Sequence, residues 1–185
     1  MAGEIASKEQ LRMSFIRWAL VCVPSLVFLG FLSGRMSNSG YSNRWFAALD
    51  LPPIVPPGWV FGAVWSILYV VVGIVLAMIL HARGSKGRVL ALSLFGLQFG
   101  LNLLWSPLFF GAHQVSLALI LILLTLIVAV ATTFAIAPIR KVAAWLMVPY
   151  LVWLSFASII NFQVDQRNPD AERTVPSTPA AEIEL

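Results

Sequence analysis

Five long apolar stretches divide the chain, at positions 15–32, 59–80, 89–110, 115–136 and 142–164. Each comes near or above the roughly 20 residues that an α-helix needs to cross the hydrocarbon core of a bilayer. Arg17 is the one charged residue inside them, close enough to an end for its side chain to snorkel to the interface. The segments between them differ in kind. Residues 33–58 are rich in Ser, Asn and Pro and predict a long loop. Residues 81–88 and 137–141 are short and basic, with Pro138 ending the fourth helix. Residues 111–114 predict a tight turn. Residues 1–14 form an N-terminal extension, and the Pro-, Thr-, Ala- and Glu-containing tail 165–185 predicts disorder. The first stretch begins like a signal peptide, but its core is long and four further spans follow, so it is read as a retained helix. The pattern predicts an all-α membrane protein, a bundle of five transmembrane helices over 15–164.

Composition agrees. Hydrophobic residues make up 59% of the 185 residues and charged residues 11%, against about 25% charged in soluble domains. With a mean hydropathy of +0.88, so small a globule could not hide its apolar surface, and lipid must act as solvent for it. The single cysteine, Cys22, can form no internal disulfide and supplies no metal cluster. The net charge of +4 is read as topology and headgroup contact, not as nucleic-acid binding. Five spans put the termini on opposite sides. Lys8, Arg12, Arg17, Arg83, Lys86, Arg88, Arg140 and Lys141 share one side, against Arg35, Arg44, Arg167 and Arg173 on the other. That bias predicts a cytoplasmic N-terminus.

All eight acidic residues lie outside the five spans. Coupled transporters usually keep an ionisable group at membrane depth, and general acid–base catalysis needs one within reach. Both are disfavoured. His81 and His113 sit at helix ends without a second histidine at ligand spacing, so neither a metal nor an axially held haem is expected, and no cofactor is required.

What remains at depth is neutral polarity and aromatic rings. Along the third span Gln98, Asn102, Trp105 and Phe109 fall on one helical stripe, with Gly96, Gly100 and Pro107 on the opposite side. Amides facing lipid would be unpaired, so the stripe should face the interior. Structural hydrogen bonding and the wall of a ligand cavity are equally compatible with that spacing. Gly96 and Gly100 match the small-xxx-small pattern of close helix contact and predict a homodimer through this span. In the fifth span Tyr150, Trp153, Ala157 and Asn161 share a side, with a small residue among rings. In the second, Trp65 and Tyr69 are one turn apart. Trp18, Trp59 and Trp145 fit interfacial anchors.

Three ordered segments carry a family resemblance. Pro56-Pro57-Gly58-Trp59-Val60-Phe61, continuing through Trp65 to Tyr69, resembles the PPxWxFxxxWxxLY signature of the TspO/MBR family. Gln98 through Asn102, Trp105, Pro107 and Phe109-Phe110-Gly111 resembles its QxxxNxxWxPxFFG segment. Pro149-Tyr150, Trp153, Phe156-Ala157 and Asn161 resemble its PYxxWxxFA…N segment. The resemblance spans roughly positions 45–168.

It implies a five-helix bundle, usually dimeric, with a cavity under the first loop that takes tetrapyrroles such as protoporphyrin IX or haem, or sterol-like ligands. Carried over by position, the cavity residues would be Trp65, Asn102, Trp105, Phe109, Phe110, Trp153, Ala157 and Ile160, with Trp45, Pro52, Pro56 and Pro57 shaping the lid. Tyr69, Gln98 and Asn161 join them from the stripe reading, and Arg35 and Arg44 could meet propionates. The family's KPxWxPP loop reads Leu51-Pro52-Pro53-Ile54-Val55-Pro56-Pro57 here, without the cation and the ring. Leu117 stands where many members have Trp. Phe162 replaces the Tyr of a cholesterol motif. The leading expectation is a binding protein. The alternatives are a light-dependent porphyrin-degrading enzyme with Trp65, Trp105 and Trp153 as electron donors, and a non-catalytic sensor docking a protein partner. A bacterial membrane is expected, since Glu4 and Glu9 suit a mitochondrial presequence poorly.

Overall fold

In a computed structural model, residues 7–173 are described, and they are helical nearly throughout. Five helical spans are long and apolar enough to cross a membrane. The first, α1 (Lys8–Met36), begins at a capping box in which Ser7 Oγ accepts from Gln10 N and Gln10 Oε1 accepts from Ser7 N. Two orphan donors are thereby satisfied, and the helix starts inside the expected extension, seven residues before position 15. It also runs four residues past Leu32.

The loop that follows is folded. Asn43 Oδ1 accepts from the backbone N–H groups of Trp45 and Phe46 and caps a short helix, α2 (Arg44–Ala47), which was not expected. Helix α3 (Gly58–His81) is the second span. Its last carbonyls, Ile79 O and Leu80 O, each accept from the Arg88 guanidinium at 3.0 Å, which places a cation at the negative helix end.

Helix α4 (Arg88–Ser106) continues into a π-helical turn, Pro107–Gly111. Pro107 has no N–H to offer Leu103 O. Ser33 Oγ donates to that carbonyl instead at 2.6 Å, which ties α1 to α4. Helix α5 (Val115–Ile136) matches its expected bounds. The last span is interrupted. Helix α6 (Lys141–Leu146) gives way at Met147 to α7 (Val148–Arg167), where Pro149 lacks a donor.

Disorder was expected from Asp165, yet α7 runs through it and a 3₁₀ turn, Ala171–Arg173, follows with Ala171 buried. Asp165 Oδ1 accepts from Ser116 Oγ at 2.6 Å, which holds this segment to the start of α5. Residues 174–185 of that expectation lie outside the described residues. The core joins α1, α3, α4, α5, α6 and α7 around Leu26, Val72, Val75, Ile79, Phe95, Ala129, Ala143, Met147 and Leu154. A second cluster under the loop is built on Trp45, Phe46, Phe109 and Ile160.

Candidate functional site

Between the two clusters lies a cavity of about 490 Å³. The aromatic residues on its wall come largely from α3 and from the α4–π segment. On α3 the one-turn spacing of Trp65 and Tyr69 stacks the rings, with centroids 5.3 Å apart. On the other element Trp105 stacks on Phe109 at 4.9 Å, and Phe110 meets Phe109 edge-on at 4.9 Å. The wider π-helical turn carries both phenylalanines onto the cavity wall.

Two asparagines fix these rings. Tyr69 Oη donates to Asn102 Oδ1 at 3.2 Å. Trp105 Nε1 donates to Asn161 Oδ1 at 3.0 Å, and Asn161 Nδ2 donates to Val115 O at 3.2 Å. Asn161 therefore bridges α4, α5 and α7 from a position only 2% exposed. On the polar stripe Asn102 makes an interhelical hydrogen bond and also borders the cavity, so at this position glue and cavity wall coincide.

Nine of the expected residues line the cavity: Trp65, Tyr69, Asn102, Trp105, Phe109, Phe110, Ala157, Ile160 and Asn161. Two do not. Gln98 is fully buried one helical turn deeper, and its amide has no protein partner among the described residues. Trp153 stands behind the wall, edge-on to Trp65 at 6.5 Å and to Phe61 at 5.7 Å. Leu117 is 50% exposed on the outer surface of α5, away from the cavity.

The lid residues act as fasteners. Trp45 is 1% exposed and does not touch the cavity. Its ring stacks on His113 at 4.4 Å, and Nε1 donates to Ala171 O at 2.9 Å. Pro52 is buried, Pro56 O accepts from Tyr41 Oη at 3.1 Å, and Pro57 precedes α3 as its N-cap. Asn168 closes the loop from below: it accepts from Asp50 N at 2.8 Å and donates to Asp50 O at 3.1 Å. Arg167 pairs with Asp50 at 3.1 Å.

Leu51 and Val55, from the altered loop, line the cavity, whereas Ile54 is exposed outside it. Both Leu51 and Val55 present apolar side chains to this part of the wall. Arg35 lines the cavity and Arg44 does not. Sequence reasoning missed Phe46, Phe61 and Leu154, and also Gly30, Gly34 and Gly62. The phenylalanines were visible as aromatics, but their direction was not.

The TspO/MBR family matches residues 20–167. The chain is 40% identical to the translocator protein of Bos taurus over 142 residues, covering 76% of this chain and 84% of that one. It is 37% identical to the tryptophan-rich protein TspO of Chlorobaculum tepidum over 150 residues, 80% and 94% of the two chains. It is 31% identical to the tryptophan-rich sensory protein of Cereibacter sphaeroides over 156 residues, 82% and 92%.

Proposed function

Because the chain belongs to the TspO/MBR family, we propose that this multi-pass membrane protein binds tetrapyrroles such as protoporphyrin IX and haem, and sterol-like ligands, in porphyrin handling, signalling or transport. The observation that carries the reading is the cavity itself. At about 490 Å³ it falls in the range of roughly 300–1,000 Å³ for small-molecule sites, and it has their mixture of many apolar groups and a few placed polar ones. Trp65, Tyr69, Trp105 and Phe109 offer ring faces to a flat guest. Asn102 accepts from Tyr69 and keeps its amide N–H groups for a polar edge. Arg35 supplies the cation that a carboxylate would meet. Ligand identification after purification in mild detergent tests this. A co-purifying tetrapyrrole supports it; a stoichiometric lipid of another class that protoporphyrin IX cannot displace counts against it.

A light-dependent degrading activity is a second reading, favoured by Trp153 standing edge-on behind Trp65 as a second electron donor. Illumination decides it, since loss of the Soret band no faster than for free porphyrin refutes it.

The assembly proposed is a homodimer through Gly96 and Gly100. Both face away from the cavity, and a Cβ on either would meet nothing within 4 Å. Gly100→Leu should then reduce the cross-linked dimer in detergent; an unchanged dimer fraction refutes the interface. We place the N-terminus in the cytoplasm of a bacterial cell, a topology that reporter fusions at the two termini test.

A further inference from the structure

Helices α1 and α3 run antiparallel and touch closely over part of their length. A Cβ on Gly73 would stand 2.8 Å from Val23 Cα, and one on Gly30 would overlap the Tyr69 ring. The same register brings Gly34 opposite Gly62, and there the contact stops. A Cβ on Gly62 would meet nothing within 4 Å, and one on Gly34 would meet only the Ser39 side chain, at 3.9 Å. Yet both glycines line the cavity. The absence of side chains on both helices leaves the cavity open sideways. Phe31, 53% exposed, and Tyr41, 44% exposed, border the gap and also line the cavity.

The depth of this gap follows from helix geometry. Gly62 lies one turn inside the start of α3, and Gly34 lies two residues from the end of α1. A turn rises about 5.4 Å, so the opening lies within about one turn of the loop-side ends of both helices. The loop side is fastened by comparison, through Trp45 to Ala171 and through Asp50 to Asn168. Arg35 is the charged residue among those lining the cavity, and it is exposed.

We infer that the gap between Gly34 and Gly62 is a lateral portal through which the cavity exchanges its guest with the bilayer. It fits a flat amphiphile whose apolar body passes between the helices while an acidic end stays at Arg35. The ligand class rests on the binding function proposed above; the portal rests on the helix geometry alone.

The test separates the two. The Cys22→Ser, Ala157→Cys variant places the sole thiol on the cavity wall. It is reconstituted in lipid vesicles and exposed either to pyrene maleimide dissolved in the bilayer or to a charged, water-soluble maleimide. The bilayer reagent should label faster, and adding Gly62→Trp should slow it by about tenfold or more, as blocking a gate does. Asn168→Ala, which loosens the loop, should leave that rate within about twofold. If Gly62→Trp does not fold, Gly34→Phe plugs the opposite wall. Labelling that ignores the plug, fails from the bilayer, or is faster from water and accelerated by Asn168→Ala overturns the portal. No tetrapyrrole is needed, so a failure of porphyrin binding leaves this result standing. The acidic end is tested with Arg35→Gln: it should weaken protoporphyrin IX but not its dimethyl ester, and equal effects on both overturn that assignment.

Discussion

Removing Asn161 should loosen three helices at once, and the loss should be shared with Trp105. Asn161→Ala leaves Trp105 Nε1 without the acceptor that stands 3.0 Å away, and it releases Val115 O from its side-chain donor. An unpaired buried donor costs about 1–3 kcal/mol, while hydrogen bonds between membrane helices average about 0.6 and reach about 1.7 kcal/mol in double-mutant cycles. Val115 O can still be served by the α5 backbone, so most of the cost should come from Trp105. Asn161→Ala is therefore expected to destabilise by about 1–3 kcal/mol. Trp105→Phe removes the same bond from the other side and should cost a similar amount. The double variant should cost less than the sum by about 0.6–1.7 kcal/mol. Reversible unfolding by SDS titration in mixed micelles, followed by far-ultraviolet circular dichroism, measures all four proteins without relying on tryptophan emission. Additivity within about 0.3 kcal/mol would refute the claim that this bond positions the ring.

Other outcomes separate contacts that look alike in sequence. Gly73→Leu should destabilise by about 1–3 kcal/mol, because it forces α1 and α3 apart, while Gly62→Leu should change stability little; equal losses in SDS titration would contradict the packing described. Asn168→Ala removes two hydrogen bonds to Asp50 and should cost about 0.5–1.5 kcal/mol for each, whereas Arg167→Ala should cost less than about 1 kcal/mol in all because its ion pair is solvent-exposed. Thermal unfolding in detergent should rank them in that order. Leu117→Trp should leave protoporphyrin IX affinity unchanged in a fluorescence titration, since this side chain points away from the cavity.

The spans were legible in the sequence because crossing a bilayer demands long apolar runs, and little else satisfies that demand. Helical spacing also brought Asn102, Trp105 and Phe109 together correctly. It failed for Gln98, one turn deeper on the same stripe, because a helical wheel gives direction and not depth. It failed for Trp153, because a ring on the right face can be screened by a neighbour, here Trp65 and Phe61. The ends of elements were the least legible. The Ser7 and Gln10 box and the Asn43 cap were readable signals outweighed by the apolar pattern. The order of the tail up to Arg173 depends on tertiary bonds to Ser116, Trp45 and Asp50 that no local pattern announces. Glycines were ambiguous for a related reason. Gly30 and Gly73 allow close contact, Gly34 and Gly62 leave an opening, and Gly96 and Gly100 form a bare outer face. Only the position of the facing helix tells them apart.

If the proposed tetrapyrrole binds in the ring- and amide-lined cavity, filling that cavity must weaken its binding. A protoporphyrin IX titration of the wild type and Ala157→Phe, followed by tryptophan quenching, measures this. Ala157 lines the cavity, and a ring there takes the place of the guest. Saturable quenching at one porphyrin per chain is expected in the wild type, and at least about tenfold weaker binding, roughly 1.4 kcal/mol, in the variant. Saturable binding of equal strength in both proteins, or none in the wild type, would contradict it.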